Sequence, residues 1–156
     1  MGELRDIERR AWRAFLAARA TVLAQIELEL AGVGDLTIGE LDVLHHLSLH
    51  GGPLRMSELA ELTHASRSGL TRRVDRLVDR GLVERADVPE DRRGAYAVLT
   101  EGGRTRHDEI MPHHINTVRD VFMSVLRDDE LEVLAGALER MSEAAGTKVQ
   151  VDASRL

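Results

Sequence analysis

Apolar residues recur at three- and four-residue steps from Leu4 through Ile7, Ala11, Phe15, Ala18 and Val22 to Ile26, with neither glycine nor proline after Gly2 until the stretch Ala31 to Gly34. That spacing predicts one long helix. Trp12, Leu16 and Leu23 fall outside the stripe. A helix apolar over more than one face needs a second surface to cover it, and a chain of 156 residues offers few. Part of this helix is therefore expected to meet another molecule.

A second helix is predicted over Thr37 to Leu49, carrying Ile38, Leu41, Leu44 and Leu47 and closed by Gly51-Gly52-Pro53. Met56 to Leu62 reads as a short helix with Leu59 and Leu62 inward, followed by a turn at Thr63 to Ala65. Ser66 is placed to cap the next helix, which runs from Arg67 to about Arg80 on the stripe Leu70, Val74, Leu77 and Val78 and stops at Gly81. Two helices joined by so short a turn make a helix-turn-helix candidate. Leu82 to Ala86 and Ala95 to Leu99 have strand character, and the polar segment Asp87 to Gly94 between them, with Pro89, predicts a hairpin with a long tip. Thr100 then caps a long helix through Ile110, Ile115, Val118, Phe122 and Val125, with a kink expected at Pro112. Asp128 is expected to cap a last helix with Leu131, Leu134, Leu138 and Met141 on one face, and residues after Gly146 to fray. The fold class is mainly α: a winged helix-turn-helix of about six helices plus a β-hairpin wing, in one domain over residues 1–156.

Composition narrows what such a fold is for. There is no cysteine, which excludes disulfides, thiolate metal sites and thiol nucleophiles. No run of 18 apolar residues exists and the N-terminus opens with charge, so a cytoplasmic protein with no membrane segment is expected. The net charge of −6 argues against a nucleic-acid partner until its distribution is considered. Between His64 and Arg93 stand arginines 67, 72, 73, 76, 80, 85, 92 and 93 against acids 75, 79, 84, 87, 90 and 91, a net of +2, which leaves −8 for the remainder. A basic stretch within an acidic chain is the pattern of a nucleic-acid surface, although a solvated helix face can also be rich in arginine.

On the predicted fourth helix the apolar stripe leaves Ser68, Arg72, Asp75, Arg76 and Asp79 on the opposite side, with Thr71 at the flank. A recognition helix enters the major groove by its N-terminus, so Ser66, Arg67, Ser68, Thr71 and Arg72 are the residues placed near base edges. Arg72 suits guanine O6 and N7, Thr71 a thymine methyl or a phosphate, and Ser66 or Ser68 a phosphate at the positive helix end. Arg76, one turn on, suits a phosphate. The competing reading pairs Arg72 and Arg76 with Asp75 and Asp79 within the helix. Arg73, at the edge of the stripe, reads as structural. At the wing, Arg92 and Arg93 suit a narrow minor groove, with Asp91 holding the Arg93 guanidinium in one orientation.

The residues Leu36-Thr37 with Leu41 to Leu44, Met56-Ser57-Glu58-Leu59-Ala60, the run Ser66 to Leu77, Arg80-Gly81-Leu82-Val83-Glu84-Arg85, and Asp91-Arg92-Arg93-Gly94 ending in Leu99-Thr100 together resemble the MarR family of winged-helix transcriptional regulators. The resemblance covers essentially the whole chain. It implies a homodimer in which the helices of residues 1–34 and 101–146 interlock, leaving residues 35–100 as the DNA-binding region. Two such heads would sit on one pseudo-palindromic duplex site, in major grooves about 34 Å apart. It also implies repression relieved by a small-molecule effector, often an aromatic acid or phenol, bound where the dimerisation helices meet the head.

Trp12, Arg13, His45 and His46 are the effector-binding candidates, since a pocket for an aromatic acid needs an apolar wall and a few cationic or hydrogen-bonding groups; plain dimer packing is the alternative for Trp12. Members of the family that sense oxidants use cysteine, which is absent here. Others bind zinc through helices equivalent to those carrying His45, His46, His107, His113 and His114, but the compact pair that clamps a metal is missing. The reading therefore assigns no metal and no cofactor, and keeps a metal-responsive regulator and a winged-helix protein-interaction module as alternatives. An enzyme is disfavoured: Asp128-Asp129 and His45-His46 are explained by helix capping and a helix face, with no constellation of nucleophile, base and orienting group.

Overall fold

The computed structural model describes residues 3–88 and 91–144, with 87, 88 and 91–94 described in their backbone only. Six α-helices and three strands follow in the order α1 (Asp6–Val33), α2 (Ile38–His50), β1 (Leu54–Arg55), α3 (Met56–Leu62), α4 (Arg67–Asp79), β2 (Val83–Val88), β3 (Asp91–Leu99), α5 (Glu101–Val118) and α6 (Asp128–Ala144) among the described residues. The winged helix-turn-helix read from the sequence is the fold observed.

One device starts four of these helices. A glutamate at the third helical position folds back to accept the N–H of the residue before the helix: Glu8 from Arg5 at 2.8 Å, Glu40 from Thr37 at 2.9 Å, Glu58 from Arg55 at 3.1 Å and Glu130 from Arg127 at 3.0 Å. Each satisfies one donor left open at a helix N-terminus and places negative charge at the positive end of the dipole. The last of these corrects the expected role of Asp128, which is the first residue inside α6 rather than its cap. The other two starts use hydroxyls, as the sequence predicts: Ser66 accepts from Gly69 N–H at 3.1 Å and Thr100 from Gly103 N–H at 2.9 Å.

The core forms where α2, α3 and α4 meet the wing. Leu44, Leu47, Leu59, Val74 and Leu77 are wholly buried, and Leu70, Val83, Ala97 and Ile110 nearly so. The sheet has the order β1-β3-β2, all antiparallel, with Leu54 opposite Ala97 and Val83 opposite Leu99. Strand β1 was not expected; two residues are too few for a periodicity, and only the partner strand makes them a strand. The hairpin also runs further than the polar composition of Asp87 to Gly94 suggests, since Asp87 faces Ala95 and Val88 faces Asp91 across an irregularity in register. Its tip at Pro89 lies outside the described residues. Gly81, at φ 69°, turns the chain out of α4 into the wing, where Thr100 Oγ donates to the Gly81 carbonyl at 2.8 Å. Helix α5 runs on through Pro112, and the departure from regular geometry comes later, as a π turn over Arg119–Met123.

The terminal helices are finished differently. Of the 28 residues of α1 only Ile26 and Leu30 are buried, and α6 has no buried residue at all. Trp12, Leu16 and Leu23, which fall outside the main stripe of α1, are all exposed, as are Val133 and Met141 on α6. No described helix is long and apolar enough to cross a membrane.

Candidate nucleic-acid interface

Helix α4 sorts its side chains by face. Leu70, Val74 and Leu77 are buried, while Ser66, Arg67, Ser68, Thr71, Arg72 and Arg76 are exposed. Its arginines divide into two sets. Arg73, Arg76 and Arg80 are spaced along one edge facing α2 and the segment before it; Arg76 and Arg80 hydrogen-bond there, and Arg73 lies against Gly39 without a hydrogen bond or ion pair among the described residues. The Arg73 guanidinium lies over Gly39 so closely that a Cβ on Gly39 would come within 2.6 Å of it. Arg76 Nε donates to Glu40 Oε1 at 2.5 Å, and Arg80 donates to the Asp35 carbonyl at 2.7 Å. Arg67 and Arg72, in the first half of the helix, are exposed and engage no side chain among the described residues.

This settles two choices left open by the helical wheel. Asp75 pairs with Arg85 on β2 at 2.7 Å rather than with Arg72, and that bond fixes the wing against α4. Arg76 pairs with Glu40 rather than with an aspartate of its own helix. About half of the Arg76 side chain stays exposed, so its outer guanidinium edge remains available. Thr71 is narrowed as well: its hydroxyl donates to the Arg67 carbonyl at 2.9 Å, which leaves its methyl, not its O–H, for an outside contact. Ser66 spends an acceptor position on its cap, and its hydroxyl also lies 3.5 Å from that of Ser68, so one of the two donates to the other. The side chains of Asp91, Arg92 and Arg93 lie outside the described residues.

Glu40, which the sequence does not single out, is joined to this face of α4 through Arg76. It is 3% exposed, and burial pushes its carboxyl up, yet the Thr37 N–H and the Arg76 guanidinium together hold it below the usual carboxylate range. In sequence it reads as half of a capping box; its second partner is 36 residues away.

Behind α4 lies a cavity of about 360 Å³ between α2, the turn before α4, and α5, lined by Ile38, Gly39, Leu41, Asp42, His45, Thr63, Arg73, Met111 and His114. Of the four effector candidates only His45 borders it. His46 turns aside to Asp42 at 3.4 Å, and Trp12 stacks on Phe15 on the open face of α1, so the proposed grouping of Trp12, Arg13, His45 and His46 is not assembled around this cavity. His45 Nδ1 and His107 Nε2 are 3.2 Å apart, and His107 Nδ1 is 2.7 Å from Asp108 Oδ1, a relay joining α2 to α5. Burial, then the neighbouring His107 and His46, lower the pKa of His45; burial lowers that of His114, whose Nδ1 has no hydrogen-bond partner. The cavity is thus bordered by His45, His114, the Arg73 guanidinium and the Asp42 carboxylate, with apolar wall from Ile38, Leu41 and Met111. No group of three or more His, Asp or Glu among the described residues is disposed to hold a metal ion.

A helix-turn-helix with exposed N-terminal arginines and an adjoining hairpin defines the winged-helix class of DNA-binding proteins. The sequence profile of the MarR family matches residues 34–94. The chain is 30% identical over 112 residues to the HTH-type transcriptional repressor MdtR of Bacillus subtilis, spanning 72% of this chain and 71% of that one. The structure superposes on AbsC, a MarR family transcriptional regulator from Streptomyces coelicolor, with a TM-score of 0.87 and 36% identity, covering 93% of this chain and 98% of the other. It superposes equally well on Sco3205 of the same organism, a family member solved in complex with DNA, with a TM-score of 0.88, 27% identity and coverage of 92% and 91%. The chain belongs to the MarR family of transcriptional regulators. These relatives are transcriptional regulators.

Proposed function

We propose that the chain is a homodimeric repressor that binds a pseudo-palindromic operator and is released by a small aromatic acid or phenol. The observation that carries the DNA-binding face is the division of arginines on α4: Arg67 and Arg72 are exposed and unengaged where the helix would enter a major groove. Arg72 reads a base edge, Ser66, Ser68 and Arg67 meet phosphates or bases near the helix start, Thr71 offers its methyl, and Arg76 meets a phosphate with its outer edge. At the wing, Arg92 and Arg93, with Asp91, are assigned to the minor groove from the sequence alone. The dimer is supported by the exposed apolar residues of α1 and by α6, an amphipathic helix of 17 residues that buries none of them within its own chain. Trp12 fits that interface better than an effector site.

The cavity between α2, α4 and α5 is the effector site in this reading. Ile38, Leu41 and Met111 supply apolar wall, Arg73, His45 and His114 supply polar partners for a carboxylate or phenol, and Asp42 supplies an acceptor that suits a phenolic O–H.

Selection of bound duplexes from a random pool, using the whole chain, tests the reading directly. Arg72→Ala is expected to cost about 1 to 3 kcal/mol on the selected duplex and little on random DNA. An equal loss on both would remove the base-reading role. Aromatic acids added to the selected complex are then expected to release it; failure of every compound that binds the protein to do so would refute the effector mechanism.

A further inference from the structure

We propose that Glu40 is a positioning residue for DNA binding: its buried carboxylate holds the Arg76 guanidinium so that the outer edge faces a backbone phosphate. This rests on the reading of α4 as the DNA-facing helix and adds a residue that itself touches no DNA.

The geometry assigns each oxygen of Glu40 a task. Oε2 accepts the Thr37 N–H at 2.9 Å, which ties the carboxylate to the start of α2, and Oε1 accepts Arg76 Nε–H at 2.5 Å. A carboxylate fixed to the backbone in this way cannot follow a moving arginine; the arginine must come to it. With Nε occupied, the guanidinium plane is set, and the two terminal nitrogens are left on a side chain that is 53% exposed while its partner is 3% exposed. An arginine on a free surface must order several torsions to meet a phosphate, whereas one already held by Nε has less freedom to lose. The arrangement is also unfavourable in one respect that makes the proposal testable. Glu40 places a negative charge close to the duplex, and a carboxylate with no part in binding would only repel it.

The experiment is a double-mutant cycle on the whole chain with Glu40→Gln and Arg76→Ala, read as duplex affinity over a range of salt on a random-sequence and a selected duplex. Glutamine keeps an acceptor for Thr37, and α4 remains anchored by Leu70, Val74, Leu77 and the Arg80 bond to Asp35, so the head stays folded. Glu40→Gln is expected to weaken both duplexes several-fold although it removes a negative charge, and to lower the salt slope toward that of Arg76→Ala. Arg76→Ala itself lowers the slope by about 0.9, the value of one phosphate contact on B-form DNA. In the Arg76→Ala background, Glu40→Gln is expected to have no further effect.

Unchanged or tighter binding by Glu40→Gln would overturn the proposal, because it is the behaviour of a bystander charge. The same loss with and without Arg76 would also overturn it, in favour of a general structural role. If Arg76→Ala leaves affinity and slope unaltered, the phosphate contact is absent, and it is the assignment of this edge of α4 to DNA that fails.

Discussion

Leu44, Leu47, Leu59, Val74 and Leu77, in the middle of the chain, are shut away completely, whereas Trp12, Leu28, Val133 and Met141, on the terminal helices, stand half or more exposed. The head is about half helical and carries the sheet, the terminal regions are nearly all helix, and the two differ above all in where their apolar surface goes. The head buries its own surface within one chain. The terminal helices carry comparable residues and leave them open, so their stability is expected to depend on a second copy and hence on concentration. In the proposed dimer the head is self-sufficient and the terminal helices are completed by a second copy of the chain.

The largest expected effect tests the first half of that contrast. Leu77→Ala empties a wholly buried site on α4 and is expected to cost about 2 to 5 kcal/mol in urea unfolding, at low and high protein concentration alike. Trp12→Ala tests the second half: about 2 kcal/mol of self-association is expected to be lost in sedimentation equilibrium, with Arg72-dependent base preference unchanged. If Trp12→Ala instead left the association constant untouched, its exposed face would not be the dimer contact. Thr100 sits where the regions join, capping α5 and bonding to Gly81, and Thr100→Ala is expected to cost about 1 kcal/mol in the same unfolding assay.

The smallest effect is a pH dependence at the seam between the regions. His45 and His114 have pKa values lowered in the folded chain, so below about pH 6.5 the unfolded chain takes up protons first. Their contribution to stability is whole above that pH and is lost as pH falls through the lowered folded values. The urea midpoint is expected to be lower at pH 5.5 than at pH 7.5, and His45→Phe is expected to flatten part of that difference. A midpoint equally pH-dependent in the variant would assign the effect elsewhere.

Most of the fold is legible in the sequence because its helices carry their own boundaries. Ser66 and Thr100 are caps wherever the chain sits, Thr37, read as the first residue of α2, proves to be its cap, and Gly81 stops α4 through its own backbone freedom. What escaped depends on partners distant in sequence. Leu54 and Arg55 become a strand only because Ala97 and Tyr96 lie beside them, and the π turn at Arg119–Met123 has no signature in composition. The site follows the same rule. The exposed face of α4 follows from a helical wheel, so the exposure of Ser66, Arg67, Ser68, Thr71 and Arg72 is legible in the sequence. The Glu40–Arg76 and Asp75–Arg85 pairs, and the lining of the cavity, require α2, α4, β2 and α5 to be docked. Trp12, Arg13 and His46 are grouped with His45 by chemical type, and of the four only His45 borders the cavity.

Gly39 and Arg73 touch in the wall of the cavity, and Arg73 belongs to α4. A molecule lodged there and a duplex on the far side of α4 would therefore press on one rigid body from opposite sides. Linkage then imposes a symmetry: whatever factor the lodged molecule takes from duplex affinity, the duplex must take from the affinity of that molecule. Measuring the small molecule's affinity with and without DNA bound would give the strength of repression release without following the DNA at all.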